Sequence, residues 1–157
     1  MKNIIKRPSF DDYFLMIATV VGMRSTCARR QVGCVITDRH NVIIGTGYNG
    51  IARGLPHCID NSCPGANLKS GTGLDLCEAI HAEQNALINC DKHLEIYNLY
   101  CTHSPCIHCT KLLMNTPTQR IVFIEDYSNN GKLLWSKTGR LWIKLPDPLK
   151  RWKLNYE

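Results

Sequence analysis

A His-Ala-Glu triplet at 81–83, followed 25 positions later by Pro105-Cys106-Ile107-His108-Cys109, constrains this chain more than any other feature. Each group opens a helical pattern, and the second comes directly after a strand-like run. Ser104 is a good helix N-cap and Pro105 is favoured at the first helical position, so the spacing predicts Cys106 and Cys109 three apart on one helical face. Two thiolates so placed reach one ion. Both groups sit at predicted helix N-termini, where unpaired N–H groups and the macrodipole favour Cys as thiolate. His81 completes three protein ligands, which leaves the fourth tetrahedral position of zinc for water, the arrangement of a catalytic site. Water bound to zinc loses its proton near pH 7, against about 16 in bulk. Glu83 is not needed as a ligand and is free to carry protons beside that water. His108 reads as a solvent-facing passenger.

The rest of the chain supplies a frame for these two junctions. Ser9 with Asp12 three positions on resembles a capping box, and Phe14, Ile17, Ala18 and Val21 share one helical face, predicting a helix near 10–24. Val32 to Thr37 and Val42 to Thr46 read as an antiparallel hairpin turned by Asp38-Arg39-His40-Asn41. Between Gly47 and about Asp75 no period is sustained, an improbable length for an unsupported loop. A helical pattern resumes over Cys77 to Cys90, then a strand (96–101), a helix (105–114), a strand (120–124) and an apolar segment, Leu141 to Leu145. Alternation after an opening hairpin predicts an α/β chain with a mixed sheet flanked by helices. No internal repeat is present.

Composition narrows the class. With 157 residues, 44% hydrophobic and 20% charged, the expectation is a single domain over 1–157, its core about 10–127 and a basic, Trp-containing portion at 128–157. The longest apolar run, from Phe14, stops at Met23-Arg24, too short for a membrane span, and the charged N-terminus does not match a secretory signal, so a cytoplasmic location is expected. Nine cysteines, an odd number, point to metal rather than a disulfide framework. Of the net charge of +6, the segment from Lys137 onward supplies +4, so the body lacks the strongly basic surface of a dedicated nucleic-acid binder and suits a small anion.

These motifs together resemble the deoxycytidylate deaminase family of cytidine-deaminase-like zinc hydrolases, which share the H-x-E…P-C-x-x-C signature. The resemblance runs from Tyr13 to Tyr127 through Arg24-Ser25-Thr26-Cys27-Ala28-Arg29, Gly47-Tyr48-Asn49-Gly50, His57-Cys58, Cys77, His81 to Ala86 and Ser104 to Cys109. It implies a three-layer α/β/α fold with a central mixed five-stranded sheet. It also implies hydrolysis of deoxycytidylate to deoxyuridylate and ammonia, with Glu83 moving protons between water, ring N3 and the departing amine. Cys27, Cys58, Cys63 and Cys77 are then candidates for a second, structural zinc, His57 being an alternative ligand. Some of them read equally as small buried residues, as Cys34, Cys90 and Cys101 do.

For substrate, the resemblance and the chemistry select Arg24 and Arg29 from the cluster Arg24, Arg29 and Arg30 as phosphate ligands. They also select Asn49 for the sugar, the Ala82 N–H for the base carbonyl, and Ser104 and Tyr127 as neighbours of the nucleotide. Many members of that family assemble as homohexamers and respond to deoxycytidine and thymidine triphosphates with Mg²⁺, so the resemblance makes Tyr48, Asn49 and Gly50 candidate effector residues. Rival readings are a nucleic-acid base deaminase resembling tRNA adenosine deaminase, using the basic tail, and a non-catalytic zinc module. A free-nucleoside deaminase is a weaker fit, because that branch uses three cysteines at the metal.

Overall fold

The computed structural model describes residues 7–69, 72–73, 75–127 and 129–152. Helix α1 (Phe10–Gly22) starts where the sequence predicts, with the Ser9 hydroxyl accepting the Asp12 N–H at 3.1 Å. Strands β1 (Gly33–Thr37) and β2 (Ile43–Tyr48) form the expected antiparallel hairpin. Its turn is set by the Asp38 carboxylate, which accepts the His40 and Val42 N–H groups, and by Asn41 at φ 63°. Next come the short strands β3 (Gly50–Ile51) and β4 (Ala79–Ile80), helix α2 (Ala82–Ile88), strand β5 (Asn98–His103) and helix α3 (Ile107–Met114). Strand β6 (Arg120–Glu125), helix α4 (Asn129–Ser136) and strand β7 (Leu141–Lys144) complete the order.

The main sheet runs β2-β1-β5-β6-β7, with β1 antiparallel to both neighbours and β5, β6 and β7 mutually parallel. This is the mixed five-stranded sheet expected from the alternation. Strand periodicity divides its residues between two faces. Val35, Tyr100, Val122 and Ile124 meet Phe14, Leu15 and Ala18 of α1, whereas Cys34, Ile36, Leu99, Cys101, Ile121 and Phe123 cluster with Ala82, Ala86, Leu113 and Trp135 from α2, α3 and α4. Three layers result. Close approach is bought with glycine at two points: a Cβ on Gly33 would strike the backbone of α1, and one on Gly47 would strike Ala82 and Ala86 of α2. Gly47 therefore presses the start of α2, and with it the His81 region, onto the sheet.

Three boundaries differ from expectation. The second helix begins at Ala82 rather than Cys77, because Ala79 and Ile80 pair with Ile51 and Gly50 instead. Helix α3 is capped by Cys106, not Ser104, whose hydroxyl is taken by the Tyr127 N–H at 2.8 Å. Helix α4 had no sequence expectation. Its Trp135 is fully buried and donates to the Leu141 carbonyl, fastening α4 to the start of β7.

The basic C-terminal portion packs on the body. Asp12, only 7% exposed, binds the Arg151 guanidinium and accepts the Trp152 indole N–H at 3.3 Å. Trp142 lies edge-on to Phe123. Among the described residues, no helix is long and apolar enough to cross a membrane.

Candidate active site

Two helix starts converge beside the sheet. His81 is the N-cap of α2, its extended backbone held by its own N–H to the Gln84 side chain at 2.9 Å. Cys106 is the N-cap of α3, and Cys109 lies in the first turn of that helix. An N-cap and the residue three further on face each other across the first turn, the relation a capping side chain uses to reach a backbone N–H. Here that relation brings two sulfurs together. The His81 Nδ1 lies 3.4 Å from the Cys106 Sγ and 3.4 Å from the Cys109 Sγ, and the three ligand atoms form one group within 4.8 Å.

These separations test a metal directly. Zinc bonds of about 2.0 Å to nitrogen and 2.3 Å to sulfur at a tetrahedral angle put the two donors about 3.5 Å apart. The observed edges fit. Without an ion the two sulfurs must share a proton: the Cys106 thiol is pulled down to about 3, first by the hydrogen bond from Cys109, while that same bond drives Cys109 upward. A divalent cation relieves this by replacing the proton, and three donors leave one tetrahedral position for solvent. The site therefore fits Zn²⁺.

Glu83 is 4% exposed, two residues after His81, and is not part of the three-donor group. Burial pushes its carboxyl up to about 6, against the opposing influence of His81. A carboxyl held there exchanges protons readily at neutral pH. Ala82 is the first residue of α2, so its N–H has no intrahelical carbonyl, and Ala82 lines the same cleft.

The far wall of the cleft is built around Asn49. Its Oδ1 accepts the Val32 N–H and its Nδ2 donates to the Arg30 carbonyl, both at 2.8 Å. The side chain expected to meet the sugar thus also positions Arg30. That guanidinium stands 5.4 Å from the centre of the Tyr127 ring. Arg29 reaches the cleft too, but donates to the Lys69 and Thr72 carbonyls of the long loop. Arg24, which follows the end of α1, is exposed and does not line the cleft. Ser104 and Tyr127 are both in the wall.

The second cysteine set is only partly assembled. Cys58 and Cys63, both buried, approach to 3.6 Å, but no third donor among the described residues joins them within 4.8 Å. Cys27 and Cys77 line the cleft instead. His57 and His108 are exposed, and Cys34, Cys90 and Cys101 are core residues. Tyr48 is partly exposed, with its carbonyl taken by the Asn85 amide, and Gly50 lies against the Thr26 hydroxyl. Sequence reasoning missed His103 and underused Arg30. The signal for His103 was its position at the end of a strand, directly before Ser-Pro-Cys.

Comparison with known proteins agrees with this geometry. The family model described as the cytidine and deoxycytidylate deaminase zinc-binding region matches residues 8–125. The deoxycytidylate deaminase of Saccharomyces cerevisiae is 38% identical over 125 residues, covering 78% of this chain and 40% of that protein. That of Mycobacterium phage D29 is 39% identical over 129 residues, covering 78% of this chain and 99% of that protein. The chain thus spans about two fifths of the length of the yeast relative and nearly all of the phage one. The dCMP deaminase of cyanophage S-TIM5, solved with dCMP and dUMP, superposes with a TM-score of 0.70 at 24% identity, over 89% of this chain and 99% of that one. The cytidine-deaminase-like fold follows from that superposition.

Proposed function

The chain belongs to the cytidine and deoxycytidylate deaminase family, and on that footing we propose that it converts deoxycytidylate and water to deoxyuridylate and ammonia, using zinc. The observation that carries the reading is the convergence of His81, Cys106 and Cys109 beside a buried Glu83, in a cleft whose opposite wall holds Arg30. Zinc held by those three side chains supplies an activated water. Glu83 would accept a proton from that water and pass it to ring N3 as the oxygen adds at C4, then carry the proton left on the added oxygen to the exocyclic nitrogen, so that the C4 carbonyl forms as the C–N bond breaks and ammonia leaves. The free N–H of Ala82 binds the base carbonyl, and the unused N–H of Asn49 binds a sugar hydroxyl. Arg30 takes the phosphate, with Arg29 beside it and Tyr127 holding the guanidinium flat.

The basic tail does not favour a nucleic-acid substrate, since Arg151 and Trp152 are engaged with Asp12. Nine cysteines without a disulfide suit the reducing cytoplasm. Assembly as a homohexamer and control by deoxycytidine and thymidine triphosphates with Mg²⁺ belong to the same proposal. Partly exposed Tyr48 adjoins buried Asn49, so an effector that moves the first pulls on the second. The test is ammonia release from cytidine, CMP, dCMP, dCTP and single-stranded DNA by the zinc-loaded protein, with and without each triphosphate. Turnover of dCMP is expected; turnover of DNA or of dCTP alone refutes the reading.

A further inference from the structure

His103 ends β5, three residues before the first sulfur ligand, and lines the cleft beside Ser104, Tyr127 and Arg30. Its ring is fixed from one side. The Nδ1 lies 3.0 Å from the Thr102 hydroxyl, and that hydroxyl oxygen already accepts the Gly33 N–H at 3.3 Å. The hydroxyl can give its proton to Nδ1, and in that tautomer the single proton of a neutral imidazole is on Nε2. The ring is neutral at physiological pH, because burial and then the Arg30 cation hold it down to about 4, with Glu125 on β6 opposing. Nε2 makes no hydrogen bond among the described residues, and His103 lines the cleft.

The surroundings select what Nε2–H meets. On one side His103 borders a shallow hollow that includes Glu125 and Asp147, whose charges repel anions. On the other side it shares the cleft wall with Arg30, the cation closest to it in electrostatic effect. We infer that His103 donates its Nε2–H to the substrate phosphate next to Arg30, as an uncharged positioning donor that sets where the nucleotide sits relative to Glu83 and the metal ligands. This rests on the deoxycytidylate reading and adds a residue to it. An uncharged donor contributes a directed hydrogen bond while the charge is matched by arginine, so its loss weakens binding without touching the proton transfers.

The test uses zinc-loaded protein carrying His103→Leu, with His103→Gln as the conservative variant that keeps an N–H donor. Steady-state ammonia release from dCMP gives KM and kcat separately, and calorimetry gives dUMP affinity. Inorganic phosphate is added as a competing probe. His103→Leu is expected to raise KM about tenfold with kcat within about twofold, and to weaken dUMP and inorganic phosphate by a similar factor. His103→Gln is expected to recover at least half of that loss on a logarithmic scale. Unchanged KM and dUMP affinity in both variants overturns the inference, as does a fall in kcat at constant KM. If His103→Leu does not fold, His103→Ala takes its place and is read by the same criteria. A wild-type protein inert towards dCMP would instead refute the deaminase reading itself.

Discussion

Cys106 and Cys109 stand across a helix start and converge with His81 on one point, whereas Cys58 and Cys63 lie in an irregular loop and meet only each other at 3.6 Å. The two groups differ in what holds them. The first is fixed by hydrogen bonds at the starts of α2 and α3 and by the sheet beneath. The second depends on isolated turns, such as Asp60 N–H to His57 O and Ala66 N–H to Cys63 O, and on a tie from Ile59 N–H to Thr26 O. Regular elements make a metal site legible from spacing. A loop does not.

The largest effect tests the preformed group. Cys109→Ser removes one of three donors from a rigid cluster, and a hydroxyl does not replace a thiolate for zinc. Activity is expected to fall more than about a thousandfold, with zinc lost on dialysis while the far-ultraviolet spectrum persists. Full zinc content in this variant, measured by metal analysis, would break the comparison at its stronger end.

Glu83→Gln separates chemistry from binding in the same cluster. The expected loss in kcat is about 10² to 10⁴-fold with zinc content unchanged. Activity needs the ionised carboxylate, because only that form accepts the water proton. Stability runs the opposite way. The folded pKa is raised above the ordinary value near 4.5, so the penalty of an ionised Glu83 is absent below about 4.5, grows towards about 6 and is complete above it. Glu83→Gln should therefore stabilise the metal-free protein above pH 6, by about 2 kcal/mol, in urea titrations. Equal stability at pH 4 and pH 7.5 relative to wild type would show that burial of this carboxyl costs nothing.

The same contrast divides the arginines. Arg30 is fastened by Asn49 within the rigid frame, Arg29 is held by loop carbonyls, and Arg24 is exposed outside the cleft. Arg30→Ala is expected to raise KM for dCMP about 10 to 100-fold, and Arg24→Ala to change it less than about twofold. The reverse order would return the phosphate to Arg24, one of the two arginines that the resemblance and the chemistry select.

What the sequence revealed follows the same line. Ser9 as a cap, the hairpin around Asn41, the alternation of β5 and β6, and the pair of motifs at His81 and Cys106 are local patterns, and each appears in the fold. The errors come from distant partners. Ser104 has an ideal capping side chain, but a residue 23 positions away uses it first. Cys77 and Glu78 read as helical, yet the chain from Ala79 is drawn into pairing with β3. Helix α4 begins with Asn-Asn-Gly, poor helix formers, and exists because Trp135 has a core to enter. Arg30 and His103 were underread for a related reason: neighbouring arginines are indistinguishable until Asn49 and Thr102 orient the wall.

The smallest expected effect falls on the loop pair, and it decides how far the comparison extends. Cys58 and Cys63 are 1% and 6% exposed, so each thiol packs as a small apolar side chain against its partner. Serine in place of Cys58 puts a hydroxyl where no other donor is assembled, at a cost of about 1 to 2 kcal/mol, which for a chain of this size lowers Tm by about 2 to 6 °C. The catalytic group is built on other elements, so kcat should stay within about twofold and zinc should remain at one ion per chain. Two zinc ions per chain in wild type, falling to one in Cys58→Ser, would mean that the ion itself draws Cys27 and Cys77, or His57, towards the pair. In that case folding of the loop would be metal-driven, as in small zinc domains.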